Sequence, residues 1–261
     1  MEIVLPFDMQ VFFSNVNWPE LVWGAILGSI LIPLFWSGVK LLQRYYQQTR
    51  PIQMLLGRIG NNREVAKVFV RDFILPQGSQ VLSIEPRHGV GVVPNVPHLW
   101  PDVEGRTLAY VVNVLGRAGK TENINIVRMS EDEGEWNANI IVLGAQAQKC
   151  FDFYEQMEEV AYKMDGSEIY NYRGRIIPRE TGYGYGIILK ARNPFNSAGT
   201  AFLIGGFGTL GTISAAYYFK ENFEKLGREF GQKNFGVVVR CPISAGEEAV
   251  ERLRRYDKSF N

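Results

Sequence analysis

Residues 200–212, TAFLIGGFGTLGT, decide the fold of this chain. A short apolar run ends in a glycine cluster, and residues 209–226 then take up helical spacing, which reads as strand, tight turn and helix. The same grammar recurs upstream. Residues 81–84 and 123–127 are strand-like, a Pro/Gly/His-rich loop covers 86–101, and helical spacing runs over 104–115. The apolar run 140–143 leads through the small-residue turn Gly144-Ala145-Gln146-Ala147-Gln148 into a helix reaching Tyr162. Residues 185–191 and 235–239 add two strands, and 246–256 has the spacing of a closing helix. Short apolar strands alternating with helices imply an α/β fold, a mostly parallel three-layer sheet covered on both faces. A tyrosine-rich interval with turn signals at Gly166, Gly174, Gly182 and Gly184 reads as an inserted β-hairpin.

Ahead of this domain, residues 21–39, LVWGAILGSILIPLFWSGV, contain no acidic, basic or histidine residue. A helix of that length, at about 1.5 Å per residue, nearly crosses a hydrocarbon core of roughly 30 Å. Trp18, Trp23 and Trp36, with Tyr45 and Tyr46, stand where aromatic rings meet lipid headgroups. Glu2, Asp8 and Glu20 precede the span without a basic residue, whereas Lys40, Arg44, Arg50 and Arg58 follow it before any acid. The positive-inside bias therefore places the C-terminal part in the cytoplasm and the chain in the inner (cytoplasmic) membrane as a single-pass protein. A cleaved signal peptide is the competing reading, but it calls for a basic leader and a small-residue cleavage site. The expected organisation is a short extracytoplasmic segment (1–20), a transmembrane helix (21–42), a helical connector (43–74) and a cytosolic ligand-binding domain (75–261). Gly24 and Gly28 form a G-x-x-x-G within the span, a spacing that lets membrane helices approach and self-associate.

Charge excludes one class of partner. With 28 Lys and Arg against 27 Asp and Glu, the chain lacks the polyelectrolyte footprint of a protein that binds nucleic-acid polymers. The basic stretch beside the span suits anionic membrane lipid. Cys150 and Cys241, each beside an apolar segment, read as buried thiols rather than a disulfide. His88 and His98 match no metal-ligand spacing, so no metal and no cofactor are expected. Nucleophile-elbow, zinc-protease and Walker sequences are missing, so a catalytic role has no motif behind it.

The sharpest motif is G-x-G-x-x-G at Gly206, Gly208 and Gly211, between a strand and a helix. Glycines there let backbone approach a ligand, free N–H groups at a helix start favour an anion, and Phe207, Thr209 and Thr212 complete the loop. Tight packing of a crossover is the alternative reason for the same glycines. A dinucleotide oxidoreductase is disfavoured, because its fingerprint heads the fold and an acid ends the next strand, whereas here that strand ends in Arg240 and Cys241. Gly144, Gln146 and Gln148 sit where open α/β sheets place ligands, and the amides can read ribose or base edges. Asn193 and Asn196 flank Pro194-Phe195, either as binding amides or as a plain Asx turn. Arg87 and His88 offer a cation and an imidazole on a loop after a strand.

The GAQAQ turn, the Tyr185-Gly186-Ile187-Ile188 strand leading to Asn193-Pro194-Phe195, and the GGFGTLGT loop together resemble the Rossmann-like SLOG and TIR-related nucleotide sensors of bacterial defence systems. The resemblance covers roughly residues 75–245. It departs from the TIR enzymes, whose catalytic glutamate finds no matching position. It implies a sensor-effector that binds a nucleotide-derived signal, forms a homo-oligomer and acts through its membrane segment. A membrane-tethered enzyme acting on a nucleotide or nucleotide sugar, and a purely structural anchor for another protein, stand beside it as alternatives.

Overall fold

The computed structural model describes residues 17–46, 50–70, 73–74, 80–85, 89–94, 98–99, 102–129, 136–144, 153, 155–157, 160–166 and 168–258. The chain divides into two units, Met1–Gln48 and Thr49–Asn261. The first contains helix α1 (Trp18–Arg44), which starts with proline in its first turn and carries Pro33 inside. Within Val22–Arg44 an 18-residue stretch has mean hydropathy 1.8 and none of it is buried, so this helix is long and apolar enough to cross a membrane.

The second unit begins with α2 (Arg50–Leu56), a 3-10 turn (Gly57–Gly60) and β1 (Ala66–Val70). There follow β2 (Phe73–Ile74), β3 (Gln80–Glu85), β4 (Gly89–Pro94), β5 (His98–Leu99), α3 (Asp102–Arg117), β6 (Ile124–Arg128) and β7 (Asn139–Leu143). The chain continues through β8 (Tyr162–Asp165), β9 (Glu168–Asn171), β10 (Ile176–Ile177), β11 (Tyr183–Asn193), β12 (Asn196–Gly206), α4 (Gly208–Phe230), β13 (Asn234–Pro242) and β14 (Glu251–Lys258).

Seven of these strands form one sheet in the order β14-β13-β11-β12-β7-β1-β6. The fold is α/β and its sheet mostly parallel: β6, β1, β7, β12 and β13 run one way, β11 and β14 the other. Two-residue periodicity builds two cores on its faces. In β1, Ala66, Val68 and Val70 face the helices α2, α3 and α4, together with Phe202, Ile204, Phe219 and Phe223. Phe69 faces the other way, where Trp136, Phe153, Met157 and residues of the small antiparallel sheet β10-β9-β8 cover the strands.

Four expectations are corrected. The helix expected to reach Tyr162 does not, because Tyr162 opens β8 and pairs antiparallel with Asn171 of β9. Residues 246–256 form no closing helix: a 3-10 turn at Glu247–Ala249 leads into β14, which pairs antiparallel with β13. The free edge of β13 supplies backbone partners that local helical spacing cannot outbid, and exposed Arg254 and Arg255 suit an edge strand. Residues 43–74 are not a helical connector throughout, because β1 lies within them as an interior strand between β7 and β6. Ala66, Val68, Phe69 and Val70 are buried on both faces, a run whose period only the sheet reveals. The expected loop 86–101 holds β4 and β5, and β3 pairs with β4 outside the main sheet.

Candidate functional site

β1 and β7 lie side by side, yet the described elements that follow them pack on opposite faces of the sheet. After β1 comes α3, whose Leu108, Val111 and Val114 pack in the helical-layer core; after β7 come Phe153 and Met157, which pack in the other. Where neighbouring strands diverge in this way, an open α/β sheet has a crevice at their carboxyl ends, and ligands bind there. Gly144 is the first residue beyond β7. It adopts φ +87° and donates its N–H to the Ile204 carbonyl at 2.9 Å, beside β12.

Glu104 stands in the first turn of α3, 5% exposed, with its Oε1 only 3.5 Å from where a Cβ on Gly144 would lie. A carboxylate in a first helical turn is favoured by the helix dipole, which offsets part of the cost of its burial. Thr107, one turn further along, is wholly buried, and its Oγ1 has no hydrogen-bond partner among the described residues. Sequence reasoning missed this pair. The signal was there: Glu104 and Thr107 share the stripe of Leu108, Val111 and Val114, where an amphipathic helix should be apolar.

The glycine loop sits at the same end of the sheet, after β12, and its glycines contact one another. A Cβ on Gly206 would lie 2.3 Å from the Gly211 carbonyl carbon, one on Gly211 2.2 Å from the Tyr185 carbonyl oxygen, and one on Gly186 2.4 Å from the Gly211 oxygen. Backbone of β11, β12 and α4 thus meets where no side chain fits. Thr212 is engaged with the same loop, its Oγ1 accepting from the Gly206 N–H at 3.1 Å. The Phe207 N–H donates to the Tyr185 oxygen at 2.9 Å, and the Arg179 guanidinium lies 4.3 Å above the Phe207 ring. Gly208 is different, at φ +62° with nothing within 4 Å of a Cβ, and Thr209 beside it is exposed. The first N–H groups of α4 after Phe207 have no intrahelical partner by geometry, and the N-cap residue Phe207 supplies no side-chain cap.

Asn193 and Asn196 lie elsewhere. They close the β11–β12 turn at the opposite end of strands roughly 30 Å long at about 3.3 Å per residue. Asn193 is buried: its Nδ2 donates to the Trp136 and Ala138 oxygens at 2.7 and 2.6 Å, and its Oδ1 accepts from the Phe195 N–H at 3.0 Å. The Asn196 Oδ1 accepts from the Ala198 N–H at 3.0 Å, and its Nδ2 donates to the Asn137 oxygen at 2.5 Å. The structure therefore does not bring these asparagines to the glycine loop, and their amides hold the turn. Arg87, His88, Gln146, Gln148 and Cys150 lie outside the described residues. Cys241 is a buried free thiol whose pKa is raised by burial. Gly24 and Gly28 lie one turn apart on α1, with nothing within 4 Å of a Cβ at either.

No protein-family model matches the chain, and no curated protein matches it. The chemistry on offer is thus that of the residues themselves. At the carboxyl ends of β1 and β7 a buried carboxylate can accept hydroxyl hydrogen bonds, and at the same end of the sheet the start of α4 can donate to an anion. Among the described residues no group of three or more His, Cys, Asp or Glu is placed to hold a metal ion.

Proposed function

We propose that this chain is a membrane-anchored sensor-effector whose Rossmann-like cytosolic unit binds a nucleotide-derived signal. In this reading α1 crosses the inner membrane once, with residues 1–20 outside. Ligand binding then drives self-association and permeabilisation through the Gly24–Gly28 face, in the service of anti-phage defence. The observation that carries the ligand reading is that the elements following the neighbouring strands β1 and β7 pack on opposite faces of the sheet, with Glu104 of α3 buried beside Gly144 at their carboxyl ends. A nucleotide fits its two chemistries: ribose hydroxyls donate to the Glu104 carboxylate, and phosphate oxygens accept from the first N–H groups of α4.

The test uses the full chain purified in detergent, extracted with acid and analysed for released nucleotide by mass spectrometry. The wild type should release a nucleotide, and Glu104→Gln should release at least tenfold less at unchanged thermal stability. Gly24→Leu with Gly28→Leu should keep the nucleotide and lose dye leakage from proteoliposomes, since added volume separates helices that small residues let pack. A wild-type protein that carries no nucleotide, or a Glu104→Gln variant that carries as much, sinks the ligand reading. The tethered-enzyme alternative uses the same crevice with Glu104 as general base. It is favoured if added nucleotide is consumed while the membrane stays sealed.

A further inference from the structure

At the end of the sheet opposite Glu104 and Gly144, α2 and its 3-10 turn, the ends of β11 and β12 and the start of β13 line an open cavity of about 700 Å³. Among the described residues, four cations line it, Arg58, Lys190, Arg192 and Lys233, and no carboxylate does. This is unusual in a chain of near-zero net charge. Elsewhere arginines meet acids: Arg117 pairs with Glu224, Arg240 with Glu180 and Glu251, and Arg252 with Glu229. None of the four cavity cations has an ion-pair partner among the described residues.

Lys190 is the built part of this site. It is only 5% exposed, and its Nζ donates to the Met54 oxygen at 3.3 Å and the Gly231 oxygen at 3.1 Å, which fixes it and leaves one of its three donors over. Burial lowers its pKa to about 8, so the ammonium is charged at neutral pH and destabilised there. Arg192 lies two residues along β11 and therefore on the same face of the strand. Like charges gathered around a polar cavity repel one another, and an anion relieves that repulsion. Guanidinium groups match the oxygens of phosphate in a two-pronged fashion, and the volume suits a ligand of mononucleotide or lipid-headgroup size.

We propose that this cavity is a second binding site, for a phosphate-bearing ligand held by Arg58, Arg192 and Lys233 above Lys190. It does not rest on the nucleotide reading of the β1–β7 crevice, with which it shares no residue. The test is calorimetric titration of the full chain, in nanodiscs of phosphatidylcholine at low ionic strength, with inorganic pyrophosphate. Saturable binding that weakens with added salt is expected, and at least tenfold weaker binding in Arg58→Gln with Lys233→Gln, two exposed positions whose change leaves the fold intact by circular dichroism. Lys190→Met, provided it folds, should weaken binding similarly. Repeating the titration in discs that contain phosphatidylglycerol identifies the source of the phosphate. Affinity that falls further in the wild type than in the double variant points to a lipid headgroup; an equal fall, or none, points to a soluble phosphate ester. Absence of saturable pyrophosphate binding, or equal affinity in the double variant, overturns the proposal.

Discussion

Single residues of one sequence motif turn out to have different tasks. Gly206 and Gly211 are glycines because backbone atoms of neighbouring elements occupy the places of their side chains, at 2.2–2.3 Å. Gly208 is a glycine because its φ is +62°, with open space around it. Gly206→Ala or Gly211→Ala should therefore force β12 and α4 apart and cost more than about 2 kcal/mol, the scale of overpacking. Gly208→Ala should cost only the left-handed strain of about 1 kcal/mol. Urea denaturation of the three variants gives the order directly, and equal losses would refute this division of roles. Glu104 makes the complementary point, since its burial against Gly144 turns an unremarkable helix-start acid into the strongest candidate of the crevice.

At the scale of elements, α4 is tied to the edge strand β14 through one acid. Glu229, near the end of α4, accepts from Arg252 at 2.6 Å and also pairs with Arg255. Burial pushes its carboxyl pKa up, but the two guanidinium hydrogen bonds outweigh that and hold it below the usual carboxylate value of 4.5. A folded pKa depressed below the unfolded one contributes stability that is complete above about pH 4.5 and is lost as the pH falls through the folded value. Glu229→Gln should therefore destabilise the protein by about 1 kcal/mol at neutral pH, the scale of a charge-assisted surface pair. The gap to wild type should close in acid. Thermal melts at successive pH values from 7 downward check this, and a gap that does not narrow as the pH falls below 4.5 would assign the loss to packing instead.

For the whole molecule, the testable statement is topology. Lys40 and Arg44 lie at the C-terminal end of α1, Arg50 and Arg58 follow it and no basic residue precedes it, so a phosphatase fused at the C-terminus should be inactive in cells, and one at the N-terminus, on the proposed outer side, active. The full chain should remain in the pellet after alkaline extraction. Release into the supernatant, or the reversed fusion pattern, would remove the anchor from the proposed function.

What the sequence determined by itself is local. Apolar length defined α1, glycine and helical spacing located the β12–α4 turn, and period-two or continuous apolar runs located β6, β7, β11, β12 and β13, because each signal is complete within one segment. Only the tertiary structure decided what depends on distant partners. β14 is a strand because the edge of β13 awaits one, and β1 is interior because β6 and β7 flank it. The Asn193 turn and the Gly206 loop, near neighbours in the chain, lie at opposite ends of a hairpin because eleven residues of extended strand separate them. The same extended geometry brings Lys190 of β11 to the carbonyls of Met54 and Gly231 and gathers Arg58, Arg192 and Lys233 from three separate segments. Electrostatic clustering of that kind has no period and no motif, so it exists only once the chain has folded.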